Sequence, residues 1–338
     1  MNKITYLFGA GASRNALPII NEIPDRLNKL IHLIEGEEFN LDDSLPFDDF
    51  HLSPPKTQRD SQRDLISSLK WLLQESKNHA SVDTLAKKLF IKNQKNHLRK
   101  LKIALSVFFI LEQTLNKPDK RYDTFFSSIL ERWDDFPKNI RILSWNYDYQ
   151  FELSFSEYSD NHELHQNQSF LKVRSKHGEK YGSDGFGIYK LNGTTGLFDY
   201  QMGGSQYYYA SNLNQKMDKN FLRQVTRNFA VVTHNLQIFP SLSFAWENEN
   251  DDNNIVSKSI DAISDSVALV IIGYSFPFFN RGIDRKIIGS MKNLKRVYFQ
   301  APDAEVIKER FQAIRDDLTG LELITKFDLD QFVLPNEL

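Results

Sequence analysis

The chain has 338 residues, 41% hydrophobic and 13% aromatic, enough to build a sizeable core and unlike a collagenous or wholly disordered polypeptide. With 42 basic and 44 acidic residues, the formal net charge is −2, a balance that argues against a dedicated nucleic-acid binder. The absence of cysteine excludes disulfides and cysteine-bearing zinc sites, and the eight histidines form no H-x-x-x-H pair, so no metal is expected.

Residues 4–8 form a short apolar run that leads into Gly9-Ala10-Gly11-Ala12-Ser13, the usual opening of a doubly wound α/β unit. The first eight residues lack a basic region followed by an apolar run, so no signal peptide is expected. Ile23, Leu27, Leu30 and Ile31 give residues 19–33 a helical period. From 36 to 64, Asp42, Asp43, Asp48 and Asp49 with Pro46, Pro54 and Pro55 predict a long irregular connection. Helical patterns follow at 65–77, 83–92 and 97–116, the last marked by Leu98, Leu101, Leu105, Phe108, Phe109 and Leu115. Its most lipid-like stretch, 104–111, falls far short of the ~20 residues needed to cross a bilayer. Residues 37–135 are therefore expected to be a mainly helical insertion covering one face of a sheet.

Strand-like runs return at 140–145, 229–233, 267–272, 296–300 and 321–325. Each is short and rich in β-branched or aromatic residues, as a sheet buried on both faces requires. Helical patterns at 255–265, 280–292 and 303–317 alternate with the later runs, predicting a parallel sheet with helical crossovers. Residues 151–228 show no clear period. Their glycines, with Tyr207-Tyr208-Tyr209, predict a loop-rich active-site insertion that includes a β-ribbon, and 247–254 reads as a polar loop. The expected fold is a single α/β domain over 1–338: a Rossmann-like, mostly parallel sheet with helices on both faces, plus the helical insertion.

Several segments at predicted strand ends could carry chemistry. The glycines of 9–13 let the backbone approach a diphosphate, the following helix start would offer free N–H groups, and Ser13 adds a hydroxyl. A turn needed only for packing is the competing explanation, and Arg14 stands where G-x-G-x-x-G has its third glycine. Asn146 and Asp148, two apart in Ser144-Trp145-Asn146-Tyr147-Asp148, project to one side of an extended chain and suit ribose hydroxyls and a carboxamide. They could equally cap a turn. Gly273-Tyr274-Ser275 again joins an apolar strand to a loop. Beyond it, Arg281 and Arg285 could hold phosphate or pair with Asp284. His177 and His234 are candidate bases, for which surface or core roles are the ordinary alternative.

The order of these segments resembles the sirtuin-like NAD+-consuming family, most of all its bacterial antiphage-defence branch. G-A-G-A-S at 9–13, followed by Ala16-Leu17-Pro18 or Ile23-Pro24-Asp25, resembles the opening of the family's NAD+ site. S-W-N-Y-D at 144–148 resembles its T-x-N-Y-D motif, K-L-N-G at 190–193 stands at its His-Gly, and 273–275 matches its G-Y-S. The resemblance covers little of 37–135 or 151–185. It implies NAD+ as substrate, with Gly9, Ala10, Gly11 and Ser13 on the diphosphate. Gly193, Gly273, Tyr274 and Ser275 would line the remaining nucleotide, Asn146 would hold the nicotinamide ribose and a water, and Asp148 would meet the nicotinamide side.

Two departures narrow the implied activity. The four-cysteine zinc module of the deacetylases is missing, and Asn192 replaces the family's histidine base; an amide cannot take a proton at neutral pH. Deacetylation and ADP-ribosyl transfer are thereby disfavoured. The resemblance implies an NAD+ glycohydrolase that depletes NAD+ in abortive infection, with Asn192 orienting the water or ribose. It further implies a homo-oligomer, or an ATPase-type or other defence-system partner. The alternative is a non-catalytic sensor of NAD+ or a related nucleotide. A cytoplasmic location is expected, with no membrane and no direct nucleic-acid partner.

Overall fold

The computed structural model describes residues 2–47, 52, 56–176, 182, 184–199, 205–248, 254–315 and 317–338. In chain order, β1 (Ile4–Phe8) precedes α1 (Ile23–Ile34), α2 (Gln58–Asn78), α3 (Val82–Ile91), α4 (Lys95–Leu115) and α5 (Lys120–Ile129). Then come β2 (Ile140–Ser144), α6 (Gln150–Ser159), α7 (Leu164–Phe170), β3 (Val173–Arg174), β4 (Ile188–Lys190), β5 (Gly193–Asp199) and β6 (Ser205–Tyr207). The remainder is α8 (Lys219–His234), β7 (Ile238–Leu242), α9 (Ile255–Ile263), β8 (Ala268–Ile272), α10 (Arg281–Ser290), β9 (Arg296–Gln300), α11 (Ala304–Gln312) and β10 (Glu322–Lys326).

The chain divides into two compact units. The first, Met1–Arg14 with Pro118–Gly193 and Phe244–Leu338, holds a seven-stranded sheet in the order β10-β9-β8-β1-β2-β4-β3. Every pair in it is parallel. From β1 the chain steps outward through β2, then returns to the far side of β1 at β8 and steps outward again through β9 and β10. The crossovers leave β1 and β8 in opposite directions, and the carboxyl ends of such strands border the crevice where open α/β sheets take ligands.

Alternation along the strands sorts side chains into two buried layers. Tyr6 and Phe8 join Ile142, Val270 and Ile272 against Tyr122, Phe125 and Phe126 of α5 and Phe151 and Phe155 of α6. Phe8 meets Phe125, Phe151 and Phe332 edge-on, with ring centroids 6.3, 5.0 and 5.1 Å away. On the other face Phe299 packs on Phe311 of α11 at 5.4 Å, and Thr5 Oγ1 lies 2.7 Å from Ser266 Oγ just beyond α9. Helices thus cover both faces, as the apolar strands require. β10 departs from that expectation: it is an edge strand with Glu322 and Lys326 exposed, because only β9 pairs with it.

The second unit, Asn15–Lys117 with Thr194–Ser243, combines α1 to α4 and α8 with a three-stranded sheet, β6-β5-β7. The sequence is read as one domain with a helical insertion at 37–135, and α2 to α4 of that stretch fall in this unit. α5 lies in the sheet unit because Tyr122, Phe125 and Phe126 complete its core. The expected strand at 229–233 is corrected to the end of α8. Phe221, Leu222, Val225, Phe229 and Val232 are buried at helical spacing, and Asp218 caps the helix by accepting from Phe221 N–H at 2.8 Å. That period outweighs the β-branched bias of Val231-Val232-Thr233. Residues 151–228 hold α6, α7, β3 to β6 and the start of α8, more regular structure than their glycines suggested. The tyrosine triplet leaves β6, and Tyr208 O and Tyr209 O both accept from Asn228 Nδ2 at 3.1 Å. Among the described residues no helix is long and apolar enough to cross a membrane.

Beyond their paired residues, β1 and β8 approach too closely for side chains. A Cβ on Gly9 would lie 2.6 Å from Gly273 O and Tyr274 Cα, and one on Gly11 would lie 2.8 Å from Gly273 Cα. Gly273 has φ +59°, and its Cβ would come within 2.5 Å of Gly11 and Ala12 backbone atoms. Backbone cannot swing aside as a side chain can. Gly273→Ala is expected to lose about 2 kcal/mol or more in a urea titration, through left-handed strain and overpacking. Gly289→Ala in α10, with nothing near its Cβ, should instead gain up to about 1 kcal/mol. A Gly273→Ala midpoint equal to wild type would contradict this packing.

Candidate functional site

The glycines after β1 lead into a single 3-10 turn, Ala10–Ser13, and the helix expected over 19–33 follows as α1, which starts at Ile23. Main-chain bonds occupy much of the turn: Gly9 N–H donates to Ile272 O at 2.9 Å, Gly11 N–H to Gly273 O at 3.0 Å, and Ala12 N–H to Gly9 O at 2.9 Å. Arg121 of α5 braces its carbonyls, donating from Nη2 to Gly11 O at 3.2 Å and Ala12 O at 2.9 Å. Asp119, 2.6 Å from the same nitrogen, fixes that guanidinium.

The exit of β2 lies alongside. Trp145 N–H donates to Phe8 O at 2.9 Å, extending the pairing of β1 with β2 and bringing Asn146 to the turn. Asn146 Nδ2 donates to Gly9 O at 3.0 Å and Ser13 Oγ at 3.3 Å. Ser13 Oγ donates to Asp148 Oδ2 at 2.8 Å and lies 2.8 Å from Tyr122 OH. Since the one serine proton goes to Asp148, the Tyr122 hydroxyl donates to Ser13. Burial, and then the negative charge of Asp148, hold the Tyr122 phenol well above its ordinary range. With its amide protons aimed at the turn, Asn146 keeps Oδ1 as an acceptor at the site's edge.

Behind Asp148 lies a buried charge cluster. Lys190, fully buried at the end of β4, donates from Nζ to Asp148 O at 2.6 Å. Nζ is also 3.9 Å from Asp148 Oδ1 and 3.9 Å from Glu152 Oε2. Glu152 of α6 is itself fully buried; Oε1 accepts from Gln168 Nε2 at 3.2 Å, while Oε2 has no hydrogen-bond partner. Burial pushes the Glu152 carboxyl up, and Lys190 acts in the opposite direction.

Asn192 bridges main chain at both ends. Its Nδ2 donates to Trp145 O at 3.0 Å and its Oδ1 accepts from Ala245 N–H at 3.2 Å. Gly193 follows at φ +70°, a conformation that glycine adopts freely. On the β8 side, Tyr274 stacks on Trp145 with ring centroids 5.4 Å apart and planes 12° apart. Its hydroxyl donates to Asp284 and accepts from Asn280 Nδ2 at 3.1 Å. Asp284 is 1% exposed with no cation paired to it among the described residues, and burial raises its pKa well above the usual carboxylate range. Ser275 is exposed, and its carbonyl accepts from Arg310 at 2.7 Å. Phe276 takes φ +50°, a strained value for an aromatic residue.

Other expectations fare differently. Arg281 donates to Ala313 O at 3.0 Å and lies over the Phe278 ring, so its guanidinium does not pair with Asp284; Arg285 is exposed. His234 ends α8 in the helical unit, and His177 lies outside the described residues. Among the described residues no group of three or more His, Asp or Glu could hold a metal ion. Sequence reasoning missed Asp119, Arg121, Tyr122, Glu152 and the buried charge of Lys190. The one available signal was Phe151-Glu152-Leu153-Ser154-Phe155, where an acid sits inside an aromatic helix face.

Two stability predictions follow from this electrostatics. Asp284 and Glu152 have folded pKa values above their unfolded ones. Each therefore adds stability that is fully present below about pH 4 and lost as pH rises through the raised value. Asp284→Asn keeps an acceptor for Tyr274 and should flatten the urea midpoint between about pH 5 and 8 relative to wild type; an unchanged slope would refute the assignment. Lys190→Met should lose about 3–5 kcal/mol at neutral pH, because two buried carboxyls lose their cation. Adding Glu152→Gln should restore part of that loss, and an additive double variant would show that the groups are uncoupled. No protein-family model matches the chain and no curated protein matches it.

Proposed function

We propose that this site binds NAD+ and hydrolyses its nicotinamide–ribose bond, giving nicotinamide and ADP-ribose. The observation that most supports this reading is the convergence of Asn146, Ser13 and Asp148 on the Gly9 turn, at the point where the sheet's crossovers diverge. The leaving nitrogen of NAD+ is already cationic, so departure needs no acid, and the C–N electron pair leaves with neutral nicotinamide. The ribose becomes oxocarbenium-like and accepts a weakly activated water, which loses one proton to solvent as the new C–O bond forms. Asn146 Oδ1 is the acceptor suited to hold that water, and the Asp148 carboxylate favours positive charge developing beside it. Loss of a general base costs ~10²–10⁴-fold, leaving room for slow turnover on electrostatics alone.

The sirtuin-like resemblance supplies the wider proposal: a cytoplasmic, NAD+-depleting effector of antiphage defence, held in check by self-assembly or by an ATPase-type partner. A second reading, a non-catalytic NAD+ sensor, is favoured by Asn192. Both ends of its amide are bound to main chain, so the residue at the family's histidine position is occupied structurally. Nicotinamide release by the full chain, across a protein concentration series, separates the two. Release that falls at least ~100-fold in Asn146→Ala supports the hydrolase. Calorimetric NAD+ binding without release at any concentration supports the sensor, and absence of binding sinks both.

A further inference from the structure

Between residues 84 and 111 the chain carries seven Lys and Arg and no Asp or Glu, although the whole protein is nearly neutral. These residues build the corner between α3 and α4 in the helical unit. The corner is tight: Lys92 N–H donates to Lys88 O, Gln94 N–H to Leu89 O, and Asn93 turns the chain at φ +53°. At its tip Phe90 and Ile91 are 42% and 72% exposed. Lys88, Lys92 and Lys95, next to them in sequence, are exposed, and Lys100 further along α4 is exposed with its Nζ 4.4 Å over the Trp71 ring.

α4 begins without a side-chain cap or an acidic residue in its first turn, and Lys95 and His97 stand at the positive end of its dipole. Like charge and apolar exposure coincide at one corner, as they do on surfaces that meet a partner.

The chemistry of the corner selects that partner. Its one arginine, Arg99, directs Nη2 to Val232 O, Asn235 O and Ile238 O at 2.6, 3.1 and 2.6 Å. The outward cations are therefore lysines, without the guanidinium fork that reads paired phosphate oxygens and base edges. Lys87 Nζ lies 5.6 Å over the Phe90 ring and takes a face that a stacked base would need. Ile91 gains nothing from a phosphodiester chain but would enter the acyl boundary of a bilayer. Lys88 is the marginal member, since its Nζ lies 3.2 Å from His79 Nε2, and His79 is 3.5 Å from Glu75. Lys92 and Lys95 form the centre.

We propose that the α3–α4 corner docks on anionic phospholipid surfaces, with Ile91 and Phe90 inserted and Lys92 and Lys95 on the headgroups. This is a surface contact, distinct from a membrane span, and it is independent of the NAD+ reading. The test is sedimentation of the full chain with vesicles of phosphatidylcholine alone or with about one-third phosphatidylglycerol. Binding should require phosphatidylglycerol and weaken with added salt. Each lysine near an anionic surface is worth about fivefold, so Lys92→Glu/Lys95→Glu should cut partitioning at least ~25-fold. Ile91→Ser should lower it severalfold at an unchanged urea midpoint, an effect that a contact made by charge alone would not show. Equal partitioning into both vesicle types, no binding, or an undiminished charge-reversed variant would overturn the proposal. So would binding to a short DNA duplex with vesicles left unbound.

Discussion

Backbone packed on backbone at Gly9, Gly11 and Gly273 sets the spacing of β1 and β8 beyond their last paired residues. The other features of the site hang on that spacing. Because no Cβ intervenes, Gly11 N–H reaches Gly273 O, and the turn is held with its carbonyls toward Arg121. A fixed Gly9 carbonyl gives Asn146 an anchor, and the adjoining Ser13 hydroxyl ties Asn146 to Asp148. From Asp148 the connections run inward to Lys190 and Glu152. A steric constraint between two strands is thereby converted into the orientation of an amide and a carboxylate.

Two buried acids tied to the strand exits, Asp148 and Asp284, are stabilised in different ways. Asp148 has a cation and a hydroxyl donor and sits next to main chain that the same cation holds. Asp284 accepts from a phenol, and its burial favours the neutral form. The first arrangement holds the Asp148 side chain between Ser13 and Lys190. The second keeps Tyr274 upright against Trp145, so the aromatic pair spans the strand ends on either side of β1.

Much of the sheet unit was legible because its strands are apolar on both faces. Residues 4–8 and 296–300 have the predicted bounds, and the alternation with α9, α10 and α11 identified a parallel sheet. The helical unit was harder to delimit. It is assembled from two separated stretches, and nothing local to α5 says that its aromatic face serves the sheet. The strand expected at 229–233 failed because three consecutive β-branched residues carry less information than a buried period of sixteen residues. In the site, Ser13, Asn146 and Asp148 lie within short motifs legible in the sequence, and the fold brings the three together. Arg121, Glu152 and Lys190 act through partners distant in sequence and were not legible in this way. The amide of Asn192 looked available because its acceptor role is filled by Ala245, fifty-three residues away.

The placement of β1 has a consequence for how the molecule forms. It is the central strand, yet its partners are Ile140–Ser144 and Ala268–Ile272. Pairings at such separations carry a large loop-closure entropy and form slowly, whereas α1 to α4 are neighbours in sequence and can meet early. During synthesis, Tyr6 and Phe8 emerge long before the strands that bury them. The residues that nucleate the finished sheet spatially are thus among the last to be satisfied, and an unpaired apolar segment is exposed throughout most of elongation.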